Sequence, residues 1–127
     1  MIKILLIYDC NTCENYCIKL LHILKAQYNI ELKSILENVS EQDAISIVLM
    51  CKRRLIGKVT RLIMPTILLF RKERPPEPHP SSNIVTTLKV SDSDFMDSDK
   101  TRVLALTISH IVSQVLMYRS LRGQRGV

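Results

Sequence analysis

Residues 2–8, IKILLIY, constrain the chain more than any other stretch. A run this apolar has no solvent face to offer, so as a strand it must be buried on both sides. That demands a sheet with cover over each face. The run leads at once into DCNTCENYC, which sets Cys10 and Cys13 where a buried strand hands over to a helix. Two thiols at that spacing can close a small disulfide, hold a metal ion or simply pack.

Periodicity organises the rest. A helix is predicted from Cys13 to about Gln27, because Tyr16, Leu20, Ile23 and Leu24 share a stripe that Lys19 and Lys25 largely avoid. NIELKSIL (29–36) alternates and predicts a strand. SEQD (40–43) has the form of a capping box and predicts a helix over about 41–57, closed by Gly57; AISIVLM (44–50) has a strand as its alternative. RLIMPTILLF (61–70) predicts a strand. Pro65 inside it requires an edge, a bulge or a special peptide bond. A Pro-rich loop (71–83), a strand over IVTTLKV (84–90) and an acidic turn, SDSDFMDSD (91–99), follow. The last helix, about 99–118, is expected to bury Val103, Leu104, Ile108, Ile111 and Val115. Residues 1–119 then form a single domain and 120–127 a loose tail. The order β-α-β-α-β-β-α describes an α/β layered domain with a mixed sheet and a terminal hairpin. The thioredoxin-like fold has this order, with its redox cysteines after the first strand.

The chain has 127 residues, enough for one independently folding core, and a formal charge of +6. Its Lys and Arg are scattered in small clusters without interleaved aromatic residues, so no nucleic-acid partner is expected. No stretch reaches the ~20 apolar residues of a membrane span, and MIKILLIYD lacks a leader cleavage site. A reducing, cytosol-like compartment is expected. There, four cysteines point to reactive thiols, ligands or core residues rather than structural disulfides.

A cysteine at a helix start faces unpaired N–H groups and the positive end of the helix dipole. Both favour a thiolate, with a pKa below the free value of about 8.5. Cys10 is the expected nucleophile, and Cys13 the thiol that resolves a mixed disulfide. Cys17 and Cys51 read as inert buried cysteines. A zinc site from Cys10, Cys13, Cys17 and a histidine lacks the usual second ligand pair, so no metal is expected. Pro65, within Met64-Pro65-Thr66, is a candidate cis-proline facing the thiols, where the turned backbone could pair with a substrate chain.

Several stretches resemble the poxvirus glutaredoxin-2 family. CNTCEN is similar to its C-x-x-C-E-N, and LKAQYNIELKSIL to its first helix end and second strand. RRLIGK is similar to a basic turn, and DFMDSDK to the turn before the last helix. The likeness runs along nearly the whole chain through motifs that are individually weak. It implies a thioredoxin/glutaredoxin-like fold, thioltransferase-type activity through Cys10 and Cys13, and a place in the host cytoplasm. It also implies transfer of disulfides from an upstream viral redox protein to cysteine-bearing virion membrane proteins, as virion assembly requires, and a possible homodimer. The Gly-Gly turn of ordinary glutaredoxins is replaced by RKERPPEPHP. Glutathione is therefore expected to bind weakly, and no cofactor beyond the redox disulfide is expected.

A competing reading is a non-enzymatic TIR-like interaction domain, in which residues 44–50 form a strand and the cysteines are incidental. A third is a degenerate redox fold serving only as a dimer scaffold, which keeps a helix there. Helix over 44–50 favours the redox fold; strand favours the adaptor.

Overall fold

A computed structural model describes residues 2–71, 74 and 82–125. The apolar run becomes strand β1 (Lys3–Tyr8), in which Ile4, Leu5, Leu6 and Ile7 have no exposed surface. Helix α1 (Asn11–Leu24) follows, then β2 (Asn29–Ser34) and β3 (Ala44–Met50). A single 3-10 turn (Arg53–Leu55) and the short helix α2 (Ile56–Thr60) lead to β4 (Thr66–Phe70). After β5 (Ile84–Lys89) come the one-turn helix α3 (Ser93–Met96) and the long α4 (Ser98–Arg125), which runs across the expected boundary at 119.

The five strands lie in the order β2-β1-β3-β4-β5, and every neighbouring pair is parallel. The α/β class is as expected, but the mixed sheet, its terminal hairpin and the thioredoxin-like order are not what forms. β4 and β5 run the same way, and β3 fills the place expected of a helix. The reason lies in AISIVLM. All seven of its residues are buried, because β3 sits between β1 and β4 and is covered on both faces. A seven-residue apolar stretch with Ile45, Ile47 and Val48 suits such a strand better than one side of a helix. The apparent capping box ends instead in Asp43, whose φ of 64° turns the chain into β3. Aspartate tolerates that left-handed conformation better than most residues.

Two apolar clusters cover the sheet. On one face α1 contributes Cys13, Tyr16, Cys17, Leu20 and Leu24, and α4 contributes Leu104, Ala105, Ile108 and Val112, against Ile4, Leu6, Ile45, Ile47, Ile67 and Leu69. On the other, Ile35 and Val39 from the β2–β3 crossover join Val59, Leu62 and Met64 over Leu5, Ile7, Val48, Leu68 and Phe70. The β2 edge is charged. Lys3 pairs with Glu31 at 2.9 Å and Glu41 at 2.8 Å, and Lys33 with Glu31 at 3.2 Å. Charges on an edge strand discourage pairing with another chain.

Candidate functional site

Parallel register brings the carboxyl ends of the central strands level. Tyr8 at the end of β1 lies beside Leu49, and Met50 at the end of β3 lies beside Phe70 at the end of β4. The residues that leave these ends are Asp9 and Cys10, Cys51, and Arg71. The first connection from β1 goes to β2 on one side, and the later strands lie on the other. β1 and β3 therefore flank the topological switch point, the usual place for a site in an open α/β sheet.

Cys10 is the N-cap of α1. Its backbone is extended, and its Sγ accepts the Cys13 N–H at 3.4 Å. A sulfur stands where serine or aspartate would commonly satisfy one of the free amides of the first turn. Cys10 and Cys51 are half-buried, and their sulfurs are 3.7 Å apart. Cys13 is fully buried. Arg71 reaches across from the end of β4, with Nη1 3.4 Å from Cys13 Sγ and 3.9 Å from Cys10 Sγ.

Two acidic residues hold this arrangement. Asp9, almost wholly buried, accepts the backbone N–H groups of Cys51 at 2.9 Å and Lys52 at 2.6 Å through Oδ2. That clamps the end of β3 to the end of β1. Its Oδ1 lies 3.9 Å from Cys51 Sγ. Asp92 binds Arg71 through Oδ1, at 2.7 Å from Nη2 and 3.2 Å from Nε. The guanidinium also lies over the Tyr16 ring, 5.1 Å from its centroid, and Tyr16 stacks on Phe95 at 4.4 Å. Arg71 is thus fixed by a carboxylate and an aromatic face together.

Burial pushes the Cys13 thiol well up, with the Arg71 contact acting against it. Burial also raises Cys17, and it raises Cys51, to which the nearby Asp9 charge adds. Arg71 holds the Asp92 carboxyl below its ordinary value of 3.8. These are the directions expected for thiols away from water and for a carboxylate beside a cation.

The expected pair Cys10 and Cys13 is therefore together, but with company that sequence reasoning missed: Cys51, Asp9, Arg71 and Asp92. Cys51 is half-buried beside Cys10 rather than enclosed in the core. The only trace of it in the sequence is its position, directly after a buried strand as Cys10 comes just after β1. Cys17 lies one turn beyond Cys13 in the α1 core and is not part of the group. His22 and His110 lie in α1 and α4, and neither joins the sulfurs; His79 lies outside the described residues.

Met64, Pro65 and Thr66 are not brought to the cysteines. They stand at the amino end of β4, whereas the cysteines stand at the carboxyl ends of β1 and β3. No described residue has a cis peptide bond, so the Met64–Pro65 bond is trans. The Pro65 carbonyl accepts the Ser46 N–H at 2.9 Å, the Met64 carbonyl accepts the Thr66 hydroxyl at 3.0 Å, and the Thr66 and Ser46 hydroxyls meet at 2.6 Å. The two bonds to Ser46 are joints between β3 and β4, and the Met64–Thr66 bond is local to the entry of β4. A groove of about 690 Å³ also lies at this far end, against Pro65, Asn83, Ile84 and Tyr118. A hollow of about 360 Å³ opens at the thiol end, lined by Cys51, Arg71, Ser91 and Asp92. No helix among the described residues is long and apolar enough to cross a membrane.

No family model matches the chain, and neither a curated protein nor a solved structure does. The resemblance to poxvirus glutaredoxin-2 proteins, with its viral partners and host-cytoplasmic setting, accordingly rests on the short motifs alone.

Proposed function

We propose that the protein is a thiol–disulfide oxidoreductase whose working thiols are Cys10 and Cys51, with Cys13 behind them. One observation carries this. Sulfurs from two chain segments 41 residues apart meet at 3.7 Å at the switch point of the sheet, half-open to solvent beside a fixed guanidinium. The pairing of β1 with β3 makes this convergence, and the partial exposure of both sulfurs leaves them open to a partner, which core packing does not require.

The chemistry is two exchanges. The Cys10 thiolate attacks one sulfur of a partner disulfide, forms a mixed disulfide and releases the partner's first thiolate. The Cys51 thiolate then attacks Cys10 Sγ, closing Cys10–Cys51 and releasing the second partner thiolate. Two electrons pass to the partner, and the two thiol protons leave with its thiolates or to water. The reverse sequence delivers a disulfide to a dithiol. Closing Cys10–Cys51 brings the sulfurs from 3.7 Å to about 2.05 Å, a short movement.

The test is incubation in graded glutathione redox buffers, acid quenching, and mapping of the thiols by mass spectrometry. A reversible Cys10–Cys51 disulfide with a defined midpoint is expected, and Cys51→Ser should accumulate mixed disulfides at Cys10. Thiols that stay reduced across the range would overturn the proposal. Reversible closure of Cys10–Cys13 alone would return the resolving role to Cys13.

A second reading has its own observation. The strand over 44–50, in an all-parallel sheet, is the element expected of a TIR-like interaction domain and not of the redox fold. In that reading Cys10→Ser leaves partner binding unchanged; in the first, it takes exchange to background.

A further inference from the structure

The four groups at the switch point have a geometry that disulfide exchange does not use. Asp9, Cys10, Cys13 and Cys51 each offer one ligand atom, and all four atoms lie within 4.8 Å of one another. Exchange needs two sulfurs at a time. It needs neither a third buried sulfur nor a carboxylate among them. The geometry points to a Zn²⁺ site with three thiolate ligands, Cys10, Cys13 and Cys51, and a carboxylate fourth ligand, Asp9.

Zinc bound to thiolates at about 2.3 Å in a tetrahedron sets those sulfurs about 3.8 Å apart. Cys10 and Cys51 stand at 3.7 Å, and Cys51 Sγ stands 3.9 Å from Asp9 Oδ1. The carboxylate is oriented for this. Its Oδ2 is occupied by the Cys51 and Lys52 amides, and the other oxygen is left turned toward the sulfurs. Ligands held from behind in this manner are characteristic of protein metal sites. The sulfurs are held likewise: Cys10 by the Cys13 amide at 3.4 Å, Cys13 by Arg71 Nη1 at 3.4 Å.

Charge fits as well. Three thiolates and a carboxylate carry four negative charges, and Zn²⁺ leaves two uncompensated. Arg71 supplies one positive charge within 3.9 Å of two of the sulfurs, outside the ligand set. Binding displaces one proton from each of the three thiols. A ligand set this rich in sulfur selects a soft or borderline cation over Mg²⁺ or Ca²⁺. Ligation and exchange are mutually exclusive uses of Cys10 and Cys51, so the metal belongs to the reduced protein. The site stands whether or not the thiols also exchange disulfides.

The full-length chain, reduced and stripped with a chelator, is titrated with Zn²⁺ and, in parallel, with Co²⁺ as a spectroscopic probe. One equivalent of Zn²⁺ should bind tightly. Co²⁺ should give a tetrahedral d–d spectrum and thiolate-to-metal charge-transfer absorption of the intensity of three Co–S bonds. Cys51→Ser should lose one third of that absorption and weaken Zn²⁺ binding at least tenfold. Cys17→Ala, whose sulfur lies outside the group, should change neither. Circular dichroism of each apo variant establishes that it is folded, and if Cys51→Ser does not fold, Cys10→Ser provides the same comparison. Absence of stoichiometric metal in the folded, reduced wild type overturns the assignment. So does an unchanged charge-transfer intensity in both folded ligand variants, or its loss in folded Cys17→Ala. A failure of disulfide exchange, measured separately in metal-free buffer, bears only on the redox proposal.

Discussion

Asp9 is the residue on which the thiol site turns, although it carries no thiol. Its carboxylate links the end of β1 to the backbone that leaves β3. Removing it strands two amides in a part-buried place, where each unpaired group is costly. Asp9→Ala should therefore lower stability by about 2 kcal/mol in urea unfolding, and Asp9→Asn, which keeps an acceptor, by less. Arg71 and Asp92 offer a cleaner readout. The Asp92 carboxyl titrates below 3.8 because Arg71 binds its ionised form. A depressed carboxyl contributes its share of stability above the ordinary value, and that share is lost as pH falls through the depressed one. Carbonyl NMR should show Asp92 titrating below 3.8 in the wild type and moving back up toward it in Arg71→Ala. In the same variant, loss of the N–H donor to Cys13 Sγ should be visible as a changed alkylation rate at Cys10 and Cys13.

At the scale of elements, β3 decides the architecture. A central parallel strand is apolar on every residue, so AISIVLM carries no alternation to separate it from a buried stretch of helix. SEQD then favours the helix wrongly, because a capping-box spacing says nothing about whether the following residues have a polar face. β1 and most of the α1 stripe, Tyr16, Leu20 and Leu24 but not the exposed Ile23, were readable because one is uniformly apolar and long enough, and the other recurs at 3.6 residues. Cys10 and Cys13 were readable because both sit at one strand–helix junction. Cys51, Arg71 and Asp92 were not, since only parallel register brings the ends of β3, β4 and β5 to that junction. The β3–β4 joint can be tested directly. The Thr66 hydroxyl donates to Met64 O, and the buried Ser46 hydroxyl is left to Thr66. Thr66→Val strands Ser46 and should cost about 1–3 kcal/mol in chemical denaturation. Adding Ser46→Ala should recover part of that loss, because neither polar group then remains to be satisfied.

For the whole molecule, the two possible disulfides are different objects. Cys10 and Cys13 are three residues apart, whereas Cys10 and Cys51 are 41 apart and tie the end of β1 to the end of β3. A cross-link removes more freedom from the unfolded chain the longer the loop it closes. On that account a Cys10–Cys51 bond stabilises by about 4 kcal/mol and a Cys10–Cys13 bond by about 1.5 kcal/mol. Urea unfolding of the oxidised and reduced wild type should therefore differ by an amount that itself names the bond. The same measurement on Cys13→Ser keeps the large difference if Cys51 is the partner, because its long loop is intact. On Cys51→Ser only the small difference can remain. A wild type whose oxidised and reduced forms differ by the small amount, with Cys13→Ser showing none, would place the disulfide within the helix start. The meeting of β1 and β3 would then serve ligation or packing rather than exchange. The gain should come with a smaller denaturant slope, since a loop that spans α1, β2 and β3 also keeps the unfolded chain compact.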